Sequence, residues 1–180
     1  MIDSSHIVEW LWNINKKPEV YASNEEPTRP VKNTLVFDTS CHFDSASYND
    51  QQWWKIDFKI PVYITGYLIR SNPASTNNGW LYNWSVLASN DNIKYKIIHG
   101  PIQDEKEEKA YRINKIVKAR YIRIDGFSKY KGNKNQIAFY YAKFFGSLNA
   151  PYKYNLSCRS LKNAKIDLMR IILLIQSSDI

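Results

Sequence analysis

The sequence predicts an all-β protein, an antiparallel sandwich or barrel, on three observations. Short runs of alternating apolar and polar residues recur through the middle of the chain. Turn-forming clusters separate them, and no helical spacing interrupts them between Tyr21 and Gly146. Aromatic residues reach 14%, with six Trp and thirteen Tyr, a composition that suits pleated, half-buried strands.

Before the strands, Ile7, Val8, Trp10, Leu11 and Ile14 recur at helical spacing, so a short amphipathic helix is expected, ended by Lys16, Lys17 and Pro18. From Tyr21 to Gln52 the signals are mostly loop, as in "SNEEPTRP" and "DTSCHFDSASYND". In "WWKIDF", Trp54, Ile56 and Phe58 share one face, and Trp53, Lys55 and Asp57 the other. One face of an antiparallel sheet is core, so Trp54 is expected to pack inside. Pro61 is expected to break this run, and "VYITGYLIR" to form a second strand with a bulge or close backbone approach at Gly66. "WSVLAS", the turn "NDN" and "IKYKII" read as a hairpin, "AYRINKI" and "ARYIRID" as two further strands, and "IAFYYAKFFG" as the last. After Gly146, the spacing of Leu161, Ala164, Ile166, Leu168, Ile171 and Ile175 fits one tail helix. The expected organisation is a helical lead-in over 1–20, a sandwich over 21–149 and a tail over 150–180.

With 180 residues, 44% hydrophobic and 23% charged, the composition is that of a globular domain. The net charge of +8 permits attraction to nucleic acid, anionic lipid or acidic glycans, but the lysines are spread along the chain and form no long block. Two cysteines, Cys41 and Cys158, make no disulfide framework. No basic n-region precedes a long apolar run at the N-terminus, and the run "IILLI" is far too short to span a bilayer. A soluble cytoplasmic protein without a transmembrane segment is therefore expected.

Enzyme chemistry finds little support. His6, His42 and His99 lie in no metal-ligand motif, and Cys41 and His42, as neighbours in extended chain, point apart. No glycine-rich phosphate loop exists. Asp38, Asp44 and Asp50 give an oxygen-rich loop that admits a structural calcium ion, but without EF-hand spacing; turn-forming aspartates explain the same pattern. No other cofactor is expected. Trp80 and Tyr82 close one polar loop, and Tyr130 stands among Lys129, Lys131 and Lys134 in another. Sugar sites combine such an aromatic face with a few fixed polar groups.

The pieces "QQWWKIDF", "YITGYLIRSN", "NWSVLASND", "RYIRIDGF" and "AKFFGSL" run in an order that resembles discoidin domains, also called coagulation factor 5/8 type C domains. The likeness covers roughly Tyr21 to Leu148, and the start "HIVEWLWNINKKPEVYASNEEP" resembles the lead-in of the family's intracellular branch. Tyr95 stands where the family often has Trp, Lys143 where it often has Glu, and Ser147 where secreted members carry Cys. The resemblance implies a galactose-binding-like β-sandwich of jelly-roll type. It implies a non-enzymatic module that recognises a glycan or protein partner through loops at one end. The implied candidates are Arg70, Asn72 and Trp80, with Tyr130 and Asn133 in the 126–137 loop and His42 and Tyr48 behind them. A basic module that binds nucleic acid or anionic lipid, or a protein–protein scaffold, is the alternative.

Overall fold

Two unusually long strands, folded back on themselves, build both layers of the domain. The computed structural model describes residues 6–45, 52–71, 80–103, 108–129 and 137–149, with backbone alone at 80, 82 and 127–129. The chain divides into two compact units, Met1–Ala150 and Pro151–Ile180. The second unit, where the tail helix was expected, lies outside the described residues. The elements are α1 (Ile7–Asn13), β1 (Glu19–Ala22), a 3-10 helix (Val31–Leu35), β2 (Phe43–Asp44), β3 (Gln52–Ser71), β4 (Trp80–Ser89), β5 (Lys96–Gln103), β6 (Glu108–Lys129) and β7 (Ala138–Ser147). The strands form one antiparallel sheet in the order β2-β7-β3-β6-β4-β5, with β1 added on β3.

The register shows how this sheet becomes a sandwich. Residues 54–57 of β3 pair with β1 and 52–57 with 121–126 of β6, while 62–70 pair with 108–112 and 117–119 of β6 across a register shift and 63–71 with β7. The ladder breaks between Asp57 and Val62, where Lys59 adopts φ 69° and its N–H bonds the Asp57 carboxylate at 2.7 Å. β3 and β6 thus each contribute one half to either layer. Their bends lie at one end of the sandwich, and their termini lie together at the other. We call these the bend end and the loop end.

Side chains from the two layers meet face to face. Trp54, 1% exposed, stacks on Phe144 at 6.2 Å and meets Phe139 edge-on at 5.6 Å. Its indole N–H donates to Thr34 Oγ1 at 3.1 Å. Phe58 meets the same Phe144 at 5.7 Å. Nearby, Trp84 packs edge-on against Tyr111 at 5.6 Å, and the Tyr67 hydroxyl lies 2.7 Å from His99 Nδ1. The expected inward face of Trp54, Ile56 and Phe58 is therefore the core, and Trp53 is half-buried on the other side with Lys55 over its ring. Gly66 sits at a register shift, and a Cβ there would stand 2.7 Å from the Tyr111 carbonyl oxygen, the close approach its place in the strand implied.

Several expected boundaries need correction. Pro61 does not end a strand: it falls in the unpaired bend between Asp57 and Val62, where no ladder hydrogen bond is demanded of it. "AYRINKI" and "ARYIRID" are halves of the single bent β6. β5 begins at Lys96, later than expected, because the Asp91 carboxylate accepts hydrogen bonds from the N–H groups of Ile93 and Lys94 and extends the turn. The segment taken as loop before Gln52 contains β1, whose four residues are too few to show alternation. The N-terminal helix forms as expected and buries Ile7, Val8 and Leu11 on its own domain.

The bend is pinned by a charged fork. Arg120 donates through Nε and Nη2 to the two oxygens of Asp57 at 2.8 and 3.0 Å, and Asp57 is buried. Burial would raise the Asp57 pKa, but the bonds from Arg120 and the Lys59 N–H outweigh it and hold the carboxyl below the usual range. Arg120→Ala is expected to destabilise the domain in denaturant melts. The loss should fall between about 1 kcal/mol for an exposed pair and about 3–5 kcal/mol for a buried one, since Arg120 itself is partly solvated. The depressed carboxyl fixes the sign with pH: the contribution is complete above roughly pH 4 and disappears as pH falls below it, so the wild-type advantage should vanish on acidification.

Candidate functional site at the loop end

Three strand ends meet where β3 finishes and β7 starts. Ile69 is core, so alternation turns Arg70 outward, directly opposite Tyr141 of β7 and Glu108 of β6. Arg70 Nη1 lies 3.6 Å from Glu108 Oε2, and the Tyr141 hydroxyl donates to the same oxygen at 3.2 Å. Burial, then the Glu108 charge, raises the Tyr141 pKa, so the phenol stays a donor at neutral pH.

A bulge supplies the next side chain. Arg70 pairs with Tyr141 and Ser71 with Phe139, which leaves Tyr140 as the extra residue of β7. The Tyr140 ring meets His42 edge-on at 5.7 Å. β2 follows at once, pairing Phe43 with Phe139 and Asp44 with Ala138, and Ser45 exchanges hydrogen bonds of 3.0 Å with Ile137. Asp44 is buried, accepts a hydrogen bond from Arg29 Nη1 and lies 3.5 Å from His42 Nε2. Burial pushes its pKa up, but His42 and Arg29 more than offset this and hold the carboxyl below its ordinary range.

Of the expected site residues, Arg70 and His42 are brought to the same start of β7. Trp80 opens β4 opposite Lys129 at the same end, with only its backbone described. Asn72, Tyr48, Tyr130 and Asn133 lie outside the described residues. The strand ends that flank the segments 46–51, 72–79 and 130–136 all belong to the loop end, as the pairs Gln52–Gly126, Trp80–Lys129, Asp44–Ala138 and Ser71–Phe139 require. Of the three calcium candidates, Asp50 lies outside the described residues and the other two are engaged otherwise. Asp38 accepts from Ser40 N–H and Oγ–H, and Asp44 faces a guanidinium. Among the described residues, no group of three or more His, Cys, Asp or Glu is placed to hold a metal.

Sequence reasoning missed Glu108, Tyr140, Tyr141 and Arg29. The two tyrosines sit inside an apolar strand pattern; pairing with β3 sets Tyr141 opposite Arg70, and the bulge brings Tyr140 beside it. Arg29 and Glu108 have partners 15 and 38 residues away in the chain, at Asp44 and Arg70, and no local spacing signals such pairs.

The F5/8 type C domain model matches residues 19–140. This chain belongs to that family. A search of the curated proteins found no match. Among solved structures, this F5/8 type C domain is similar to the lectin-binding domain of lectinolysin complexed with Lewis b, with TM-score 0.64 and 13% identity over 82% of this chain and 99% of that one. It is also similar to CpGH89CBM32-5 from Clostridium perfringens, in complex with GalNAc-β-1,3-galactose, with TM-score 0.62 and 12% identity over 72% of this chain and 95% of that one. A third is the family 32 CBM of C. perfringens NanJ in complex with galactose, with TM-score 0.61 and 14% identity over 71% and 93%. At these identities the likeness is one of fold: the antiparallel, galactose-binding-like sandwich expected from sequence.

Proposed function

We propose that this F5/8 type C domain is a non-enzymatic binding module that recognises a glycan at its loop end. The observation that carries the reading is the meeting of β2, β3 and β7, which sets Arg70, Tyr141, Tyr140 and His42 around one strand start. A sugar offers hydroxyls to charged and polar side chains and a C–H face to an aromatic ring. Arg70 supplies fixed N–H donors, oriented by Glu108, and Asp44 stands behind His42. The solved neighbours with Lewis b, GalNAc-β-1,3-galactose and galactose support the same choice of ligand class. Trp80, Asn72, Tyr130 and Asn133 remain part of the proposed surface.

The test is calorimetric titration with galactose, GalNAc-β-1,3-galactose and Lewis b, repeated with Arg70→Ala. At least one of the three glycans should bind, and the variant should weaken it about 10–100-fold, the consequence of leaving polar groups of a bound sugar without a partner worth about 1–3 kcal/mol. The melt should stay cooperative. Binding indifferent to Arg70→Ala, or binding to polyanions alone that vanishes as salt rises, would speak for the charge-driven alternative.

A further inference from the structure

One side of the sandwich is filled, and the other is uncovered among the described residues. Between β1 and β7, α1 and the 3-10 helix close the gap between the layers. On the opposite side, β5 ends its layer, and the outer edge of 108–119 in β6 ends the other. No described strand pairs either edge. A groove of about 600 Å³ runs along them.

The lining of the groove is basic and apolar. Lys94, Lys96, Lys115 and Lys118 face it, with Asp91 as the one carboxylate among its lining residues. Asp91 is spent on its own turn, accepting from Ile93 N–H, Lys94 N–H and Ser89 Oγ–H, which hold its pKa down at about 2. Ile97 and Ile116 stand in the same groove, 62% and 51% exposed. Asn90 shows how the β6 edge takes a partner. Its Nδ2 donates to the Lys118 carbonyl and its Oδ1 accepts from the Arg120 N–H, both at 3.2 Å, so one side-chain amide stands in for a paired strand. Beyond that cap the ladder with β3 shifts register, Ile64 pairing with Val117 and Gly66 with Arg112, so residues 113–116 bulge from the ladder and bring Lys115 and Ile116 to the groove.

We propose that this groove docks an extended acidic peptide segment of a partner protein. Its acidic side chains would reach Lys94, Lys96, Lys115 and Lys118, and alternating apolar ones would rest on Ile97 and Ile116. The chain's own segment 151–180 is a poor electrostatic match. It carries Lys153, Arg159, Lys162, Lys165 and Arg170 against Asp167 and Asp179. The groove lies away from the loop end, so this proposal stands apart from the glycan reading.

The test uses the full chain and fluorescent peptides of four Glu-Val or Lys-Val repeats. The Glu-Val peptide should bind saturably. The Lys-Val peptide should bind at least tenfold more weakly. Lys96→Glu combined with Lys115→Glu should cost at least tenfold without changing glycan affinity. Amide exchange at Ile116 should slow on binding. Absence of saturable Glu-Val binding would mean that the lysines only blunt two bare edges. Equal binding of the Lys-Val peptide would overturn the proposal as well.

Discussion

Trp54→Ala is expected to lower the stability of the domain by about 3–5 kcal/mol, the range for removing a large aromatic side chain from a core. The reasons accumulate at one residue. The indole is fully buried, stacks on Phe144, meets Phe139 edge-on and donates to Thr34 in the 3-10 helix. Its loss opens a cavity between the layers and leaves the Thr34 hydroxyl without its donor. Thermal melting should fall by about 10–20 °C for a domain of this size. Trp54→Phe, which keeps the stack and drops only the N–H, should recover most of the loss. A melt of Trp54→Ala within a few degrees of wild type would mean that the two layers do not meet there.

Gly146→Ala should act by overpacking instead. At Gly146 a Cβ would stand 1.8 Å from the Tyr63 carbonyl oxygen and 2.8 Å from its carbon, and the backbone sits at φ +157°. Those atoms are backbone of β3, fixed by the Ile64–Gly146 pairing, and cannot swing aside as a side-chain tip would. The end of β7 must therefore separate from β3. The expected loss is about 3 kcal/mol, the upper part of the range for overpacking. Urea unfolding should show a lower midpoint with the cooperativity retained, since only the last pairs of the ladder are affected. An unchanged midpoint would place Gly146 outside the ladder.

Much of the fold was legible because alternation at period two is a local property. Trp54, Ile56 and Phe58 announced a core face, and all three are buried. The alternation was silent about Asp57, which falls on the opposite face yet is buried as well, because its partner Arg120 lies 63 residues on. Pro61 misled for a related reason: a proline is excluded from a ladder, but the ladder here has a gap at the corner of the sandwich. The site was legible only in outline. Arg70 follows an inward Ile69 at the end of a strand, so its outward aim could be read from the pattern. The role of Glu108 in holding it, and of Tyr140 and Tyr141 beside it, depends on the pairing of β3 with β6 and β7, and no residue of Ile64–Ser71 encodes that register by itself.

The most direct measurement is amide chemical-shift mapping of the domain titrated with GalNAc-β-1,3-galactose, galactose and Lewis b. A glycan module that works at the loop end predicts saturable shifts at Arg70 and Ser71, at Phe139–Tyr141 and at His42–Ser45, with the bend around 57–62 and the turn 90–95 undisturbed. Shifts confined to the bend end, or no saturable shift with any of the three glycans, would contradict it.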